Sequence, residues 1–342
     1  MRLLFHKIKH WEYWPFQVVY MPIFFAWPYF ALKAGNWFFF NCVNPGIKNG
    51  GFIMNSKKEI YDAIPAQYYP KTVLVRPTDT IRAVSDKLNK NTLQYPVFVK
   101  PDIGLRGTGV ERINDVLGLE QYHSTVRTSY LIQEVIPFKN EAGIFYVRKP
   151  NEDKGNITGI VYKELLTVVG DGTSSVEELL NTNKRFAFQL KTLRQSHQDE
   201  LKTILEKGVS KVLVPYGNHC RGAKFLDARS MITPELETCI DEVCKQIPGF
   251  YYGRIDLMFA SWELLSAGKQ FAIVELNGAV SEPAHIYDPK HTIWFAWKEL
   301  WKHFNLMAGI ARLNKSKGLK NVPVTKGVIE LSKHFKYLKS IQ

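Results

Sequence analysis

The chain has 342 residues, 45% hydrophobic and 23% charged, which suits a globular protein with room for one to three domains. Its net charge of +13 points to an anionic partner: a nucleotide, an acidic substrate or an anionic membrane surface. No Lys/Arg block and no zinc-finger spacing supports nucleic acid, and four cysteines without a CxxC pair fit a reducing compartment better than a disulfide framework.

Residues 1–55 are rich in aromatics, proline and glycine. From Tyr13 to Leu32 there is no charged residue. That length can span a bilayer, but Pro15, Pro22 and Pro28 interrupt a helix, and Trp and Tyr are interfacial residues. Arg2, Lys7, Lys9 and Lys33 flank the stretch and would attract anionic headgroups. No small-residue cleavage site follows, so it does not read as a signal peptide. A surface or re-entrant membrane anchor is the first expectation; a true span, and soluble packing or a homodimer surface, stay open. Two turns, Asn44-Pro45-Gly46 and Asn49-Gly50-Gly51, close the region.

Ser56 and Glu59 form a capping-box pattern for a helix running to about Ala63. A helix is predicted over 80–90, and strands over 95–100, from Val110, over 130–134, 143–148 and 157–168. Gly170-Asp171-Gly172 is a turn, and Ser174 with Glu177 caps a helix through Leu180. Residues 184–206 read as polar and helical, 211–214 and 224–226 as strands. Thr233-Pro234 opens a helix with Leu236, Ile240, Val243 and Ile247 on one face, ending at Gly249. Strands follow at 253–258 and 274–278, then a helix over 293–306. From Ala311 the tail is basic and predicted to lie on the surface. Strands and helices do not alternate strictly, so the fold class is α+β rather than a doubly wound parallel sheet.

Three constellations carry chemistry. In Gly253-Arg254-Ile255-Asp256 and Val274-Glu275-Leu276-Asn277, side chains two apart share a strand face. Pairing the strands would gather Arg254, Asp256, Glu275 and Asn277: a hard-oxygen set with one guanidinium, suited to Mg²⁺ carrying phosphates. Two ordinary amphipathic strands would show the same pattern. In Pro96-Val-Phe-Val-Lys100-Pro-Asp-Ile-Gly104-Leu-Arg106-Gly107-Thr-Gly109, a strand delivers Lys100 and a glycine-rich loop follows. Its backbone N–H groups could approach phosphate oxygens while Lys100 and Arg106 add charge; a plain glycine-rich hairpin is the alternative. Third, Glu134-Val135-Ile136-Pro137 to Glu141 is an apolar hinge between two acids. Its backbone could bond an adenine and a carboxylate could accept from ribose; a solvated strand end is the alternative.

Taken in order, these blocks resemble the ATP-grasp superfamily, the fold of carboxylate–amine ligases such as D-alanine–D-alanine ligase, over residues 56–305. The resemblance implies two α+β subdomains clamping ATP. It makes Lys100, Arg106, Gly107 and Gly109 the phosphate-covering flap, and Glu134, Val135, Ile136 and Glu141 the adenine and ribose contacts. Asp256, Glu275 and Asn277 would hold Mg²⁺, with Mn²⁺ as a second candidate, and Arg254 would stabilise the transition state. Lys57 fits the other nucleotide lysine, with Lys58 adjoining it. Two further strings, from Lys163 through Gly170-Asp171-Gly172 and from Gly217-Asn218 through Arg221-Gly222 to Asp227, are similar to the ATP-grasp part of cyanophycin synthetase. They imply that Lys163 and the Asn218/Arg221 loop approach the triphosphate or acyl phosphate. His219 and Cys220 are not expected to be ligands; Ser281 and His285 could touch substrate or serve packing.

Members of the superfamily usually begin with a βαβ domain that helps seat the acid; here residues 1–55 are aromatic instead, which hints at a lipid-like or membrane-bound substrate. The expected organisation is an N-terminal region at 1–55, a remnant and linker at 56–95, the ATP-grasp domain at 96–310 and a tail at 311–342. The expected activity is ADP-forming ligation of a carboxylate to an amine through an acyl phosphate. A kinase acting on a hydroxyl, or a non-catalytic membrane scaffold, are the alternatives. The expected location is the cytoplasm, at the inner face of the cytoplasmic membrane if the aromatic segment is an anchor.

Overall fold

The structure is a computed structural model describing residues 2–53, 55–104, 109–214, 217 and 219–340; for 2–4, 196, 220 and 338–340 only the backbone is described. In chain order, helices α1 (Arg2–Lys9), α2 (Phe16–Val19), α3 (Met21–Ala34) and α4 (Lys57–Ala63) lead to strand β1 (Thr72–Val75). Then come α5 (Ile81–Lys90), β2 (Val97–Pro101), β3 (Glu111–Ile113), α6 (Val116–Thr125) and β4 (Tyr130–Glu134). The middle of the chain holds β5 (Asn140–Val147), β6 (Asn156–Glu164), β7 (Thr167–Val169), the short helices α7 (Val176–Thr182), α8 (Lys184–Ala187), α9 (Leu190–Ser196) and α10 (Gln198–Leu201), and β8 (Ser210–Val212). The last part holds β9 (Lys224–Asp227), α11 (Pro234–Lys245), β10 (Tyr252–Phe259), α12 (Trp262–Ser266), β11 (Phe271–Asn277), α13 (Ile293–Ser316) and α14 (Val324–Ser340).

This is the expected α+β class with two sheet-based subdomains. The first sheet is antiparallel in the order β1-β4-β2-β3. Val97, Val99 and Ile132 pack there against Val84 and Leu88 of α5 and Leu119 of α6. The stretch 56–95, expected as remnant and linker, supplies β1 as an edge strand of this sheet. The second sheet runs β11-β10-β5-β6-β9, also antiparallel. The alternation along β5 divides its two faces. Ala142, Ile144 and Tyr146 join Leu236, Ile240 and Val243 of α11 in one core. Phe145 belongs to a second core with α3 and α13, whose far end leaves Glu141 and Gly143 for polar company. Residues 135–139 connect the two sheets.

Several boundaries differ from expectation. The strand predicted over 157–168 breaks between β6 and β7, because the chain leaves the second sheet there; Leu213 N–H donates to Leu166 O and β7 pairs with β8. The cap of α7 is Ser175 with Glu178, one residue beyond Ser174 and Glu177; Ser174 instead donates to the Asp171 carboxylate. The polar stretch 184–206 holds three short helices, opened where Asn183 caps α8 with its side chain and interrupted at Phe188–Gln189 and where His197 leaves helical geometry.

The tail is not surface from Ala311. α13 runs to Ser316 because its apolar stripe continues: Met307, Ala308, Ile310 and Ala311 are buried. Asn314 donates from that helix to the carbonyls of Cys42 and Val43. The N-terminal region packs on the same helix, with Ile23, Phe30 and Phe39 in a core with Leu300 and Met307. Among the described residues, no helix is long and apolar enough to cross a membrane.

Candidate active site

The face of the second sheet around Gly143 collects the predicted residues. Across β10 and β11, Arg254 pairs with Asn277 and Asp256 with Glu275. Across β10 and β5, Asp256 lies opposite Gly143. On β6, Lys163 sits within reach of both Glu141 and Asp256. Arg254 grips Asp256 with two parallel bonds, Nε to Oδ1 at 2.8 Å and Nη2 to Oδ2 at 2.9 Å. Lys163 Nζ donates to Glu141 Oε1 at 2.8 Å and stands 3.6 Å from Asp256 Oδ2.

Glycine makes room for this network. A Cβ on Gly143 would fall 2.6 Å from Asp256 Oδ1 and 2.9 Å from Arg254 Cδ. A Cβ on Gly217 would fall 2.4 Å from Lys163 Cδ, and Gly217 N–H donates to Glu141 Oε2. Glu141, expected as a ribose contact, therefore binds Lys163 and the backbone of the 217–222 loop.

Burial opposes charge on all three central groups, and their pairing outweighs it. Arg254 stays above its ordinary range against burial because of Asp256 and then Glu275. Asp256 is lowered, with Arg254 and then Lys163 overcoming burial. Lys163 is raised because Asp256 and Glu141 overcome burial.

The second group of cations faces the end of β11. Lys57 Nζ donates to the carbonyls of Pro101, Asp102 and Gly104, at the foot of the flap. Lys58 points away and pairs with Asp62, so the position within the Lys57-Lys58 pair that reaches the cleft is Lys57. Lys57, Tyr61, Gly104, Glu275 and Asn277 line one cleft together with His334 of α14. Lys100 Nζ donates to Tyr61 Oη at 2.8 Å, Gln133 Oε1 at 2.9 Å and Val274 O at 3.4 Å. Burial lowers Lys57, and lowers Lys100 to about 8, although Glu275 pulls each the other way.

Glu134 ends β4 and accepts from Lys71 N–H at 2.7 Å. Val135 and Ile136 are half-buried at the junction between the sheets. Gly109 has φ +69°, a left-handed turn beside Pro101. Arg106, Gly107 and Asn218 lie outside the described residues. Arg221 sits on a short turn leading into β9, half-buried. Ser281 accepts from Arg254 N–H and donates to Gly278 O, so it fixes the strand end. His285 is buried against Glu299 rather than open to the cleft.

Sequence reasoning missed Tyr61, Gln133 and Glu12. Gln133 adjoins Glu134 in the same block, and a buried amide bonding a buried lysine is visible only once β2 and β4 pair. Glu12 reaches Arg185 and His219 from the N-terminal region, bringing it against the 217–222 loop.

A divalent cation is implied by the resemblance. Among the described residues no three His, Cys, Asp or Glu side chains form a cage. Asp256, Glu275 and Asn277 offer three hard oxygens at adjoining register positions. That set fits a Mg²⁺ ion that brings phosphate oxygens with it.

No family model and no curated protein matches the chain. Among solved structures it is similar to a bifunctional glutathione synthetase from Pasteurella multocida, with 14% identity over 75% of this chain and 38% of that one and a TM-score of 0.38. It is similar to the VanG D-Ala:D-Ser ligase from Enterococcus faecalis, with 14% identity over 75% and 60% and a TM-score of 0.41. It is also similar to D-alanine–D-alanine ligase from Bacillus anthracis, with 12% identity over 77% and 69% and a TM-score of 0.40. The chain thus spans less than two thirds of the first two proteins, and likenesses at this level do not assign a reaction to it.

Proposed function

We propose that the chain is an ATP-dependent carboxylate–amine ligase of the ATP-grasp kind. The observation that carries the reading is the register that sets Arg254 beside Asn277 and Asp256 beside Glu275, with Glu275 and Asn277 lining a cleft with Lys57, close to Lys100. A carboxylate oxygen of the acid attacks the γ-phosphorus of ATP, ADP leaves, and an acyl phosphate forms. An amine then attacks the acyl carbon; phosphate departs and the nitrogen loses a proton. Lys57, Lys100 and Arg106 hold phosphate oxygens, Lys163 and Arg221 approach the transferred phosphoryl group, and Arg254 stabilises the tetrahedral oxyanion. The backbone from Glu134 to Ile136 meets the adenine, and Glu141, which also holds Lys163 and the Gly217 N–H, accepts from the ribose hydroxyls. Asp256, Glu275 and Asn277 would hold Mg²⁺, which would supply neutralisation of the phosphate charge. The side chains do their work by positioning and charge, so no nucleophilic side chain is required. We extend the reading to an acid or amine presented at the inner face of the cytoplasmic membrane, on the strength of the exposed aromatic surface of the N-terminal region.

Purified protein with ATP, Mg²⁺, hydroxylamine and panels of amino acids and acyl lipids should release ADP and yield a hydroxamate. Glu275→Gln should cut that turnover by about 10²–10³. ADP release without hydroxamate would mean phosphorylation of a hydroxyl. Normal ATP binding with no substrate-dependent ADP release would sink the ligase reading.

A further inference from the structure

α3 is apolar on every side, which a helix at a protein surface normally is not. One side is spent: Ile23, Phe30, Ala31 and Ala34 are buried, most of them against α13. The opposite side carries Met21, Phe24, Phe25, Pro28, Tyr29 and Leu32, spaced by three and four, and all are exposed. Phe25 is 81% and Leu32 82% exposed, values at which a large apolar side chain gains nothing from the fold. α13 extends this surface, since Trp301 stacks on Tyr29 with ring centres 5.5 Å apart and Trp294, two turns earlier, is 72% exposed. Phe16 of α2 meets Phe24 edge-on at 6.1 Å and continues it at the other end.

Charge on this surface has one sign. Lys298 is exposed between Trp294 and Trp301 on the same helical stripe, and Lys302 follows it. Lys33, at the end of α3, reaches across to Asn305 of α13. Residues 13–40 contain no acid, and the acid of α13, Glu299, is buried between His285 and Lys302. An apolar face set with Tyr and Trp and studded with lysines has the composition of an interfacial membrane surface. The same lysines argue against a second copy of the chain, because a twofold contact on this face would set lysine against lysine.

We propose that the face formed by α2, α3 and the first half of α13 docks on an anionic lipid bilayer surface, with Phe25 and Leu32 entering the acyl boundary and Lys298 and Lys302 meeting headgroups. The inference deepens the membrane part of the proposed function, which rests on the same surface, and stands apart from the ligase chemistry: it needs no nucleotide, and either the chemistry or the membrane contact could fail alone.

The test uses the full chain and two kinds of vesicle, phosphatidylcholine alone and phosphatidylcholine mixed with phosphatidylglycerol, read by flotation. The wild type should float with the mixed vesicles and lose binding as salt rises. The double variant Phe25→Ser/Leu32→Ser should bind at least about tenfold more weakly while unfolding at the same temperature or higher, because both side chains are exposed. Lys298→Glu should weaken binding to mixed vesicles severalfold and leave the weak binding to phosphatidylcholine unchanged. Wild type that never floats overturns the proposal. So does a wild-type dimer that the double variant converts to monomer, since a second copy would then cover the face.

Discussion

Lys100 and Lys163 are both buried lysines one residue from the end of their strands, and their surroundings drive them in opposite directions. Lys163 touches two carboxylates, Glu141 and Asp256, and is held more firmly charged than a lysine in water despite burial. Lys100 touches the neutral oxygens of Tyr61, Gln133 and Val274, and burial drops it to about 8. A buried ammonium surrounded by neutral oxygens is short of counter-charge. The Lys163 region is electrostatically complete and the Lys100 region is waiting for an anion. Under the proposed function, Lys100 would therefore gain more from an incoming phosphate than Lys163, whose charge is already met by Glu141 and Asp256.

The largest effect should come from breaking the complete side. Asp256→Leu would leave Arg254 and Lys163 buried without their shared partner, and urea unfolding should show a loss of about 3–5 kcal/mol. A loss below about 1 kcal/mol would mean the network does not hold the sheet face. Gly143→Ala tests the same face by crowding. Its Cβ would sit 2.6 Å from Asp256 Oδ1, so we expect a stability cost of about 1–3 kcal/mol and a larger relative fall in ADP release. On the other side the expected change is a dependence on pH rather than a fixed loss. Since the folded-state value of Lys100 lies near 8 and its ordinary value is 10.5, the unfolded chain binds the extra proton between those pH values. Wild-type stability should therefore rise across that window and carry the full burial penalty below it. Lys100→Met should flatten the rise, and should remove the proton uptake that calorimetry in buffers of differing ionisation heat detects when ATP binds near pH 8. An unchanged pH profile in that variant would show that Lys100 is not the undercompensated cation.

The parts of the site carried by strand periodicity were legible in the sequence. Arg254 with Asp256, and Glu275 with Asn277, share faces by a rule of two, and pairing the strands followed from their proximity in the chain. The cap at Ser56, the helix from Thr233 and the strand at Tyr130–Glu134 were equally local signals. What stayed hidden depends on long-range contact. Tyr61 in α4 is separated from Lys100 in β2 by β1 and α5, and its hydroxyl meets that lysine only when α4 packs beside β2. Glu12 lies far from His219 in the chain. The reach of α13 past Leu306 was missed because its continuing apolar stripe is diluted by Lys, Arg and Asn, which read as a basic tail.

The packing of the aromatic region on α13 sets a timetable for synthesis. Trp11 Nε1 donates to His291 O, Trp297 Nε1 to Val19 O and Asn314 to Cys42 O, each joining residues more than 250 positions apart. The ribosome therefore delivers α2 and α3 long before the helix that shields their inner side. Through most of translation both sides of α3 are uncovered, a condition that invites chaperones or early capture by a bilayer. Ribosome-bound chains stalled before Ile293 should accordingly bind a hydrophobic dye more strongly than chains stalled after the exit of Ser316; equal binding would mean that other contacts shelter the segment first.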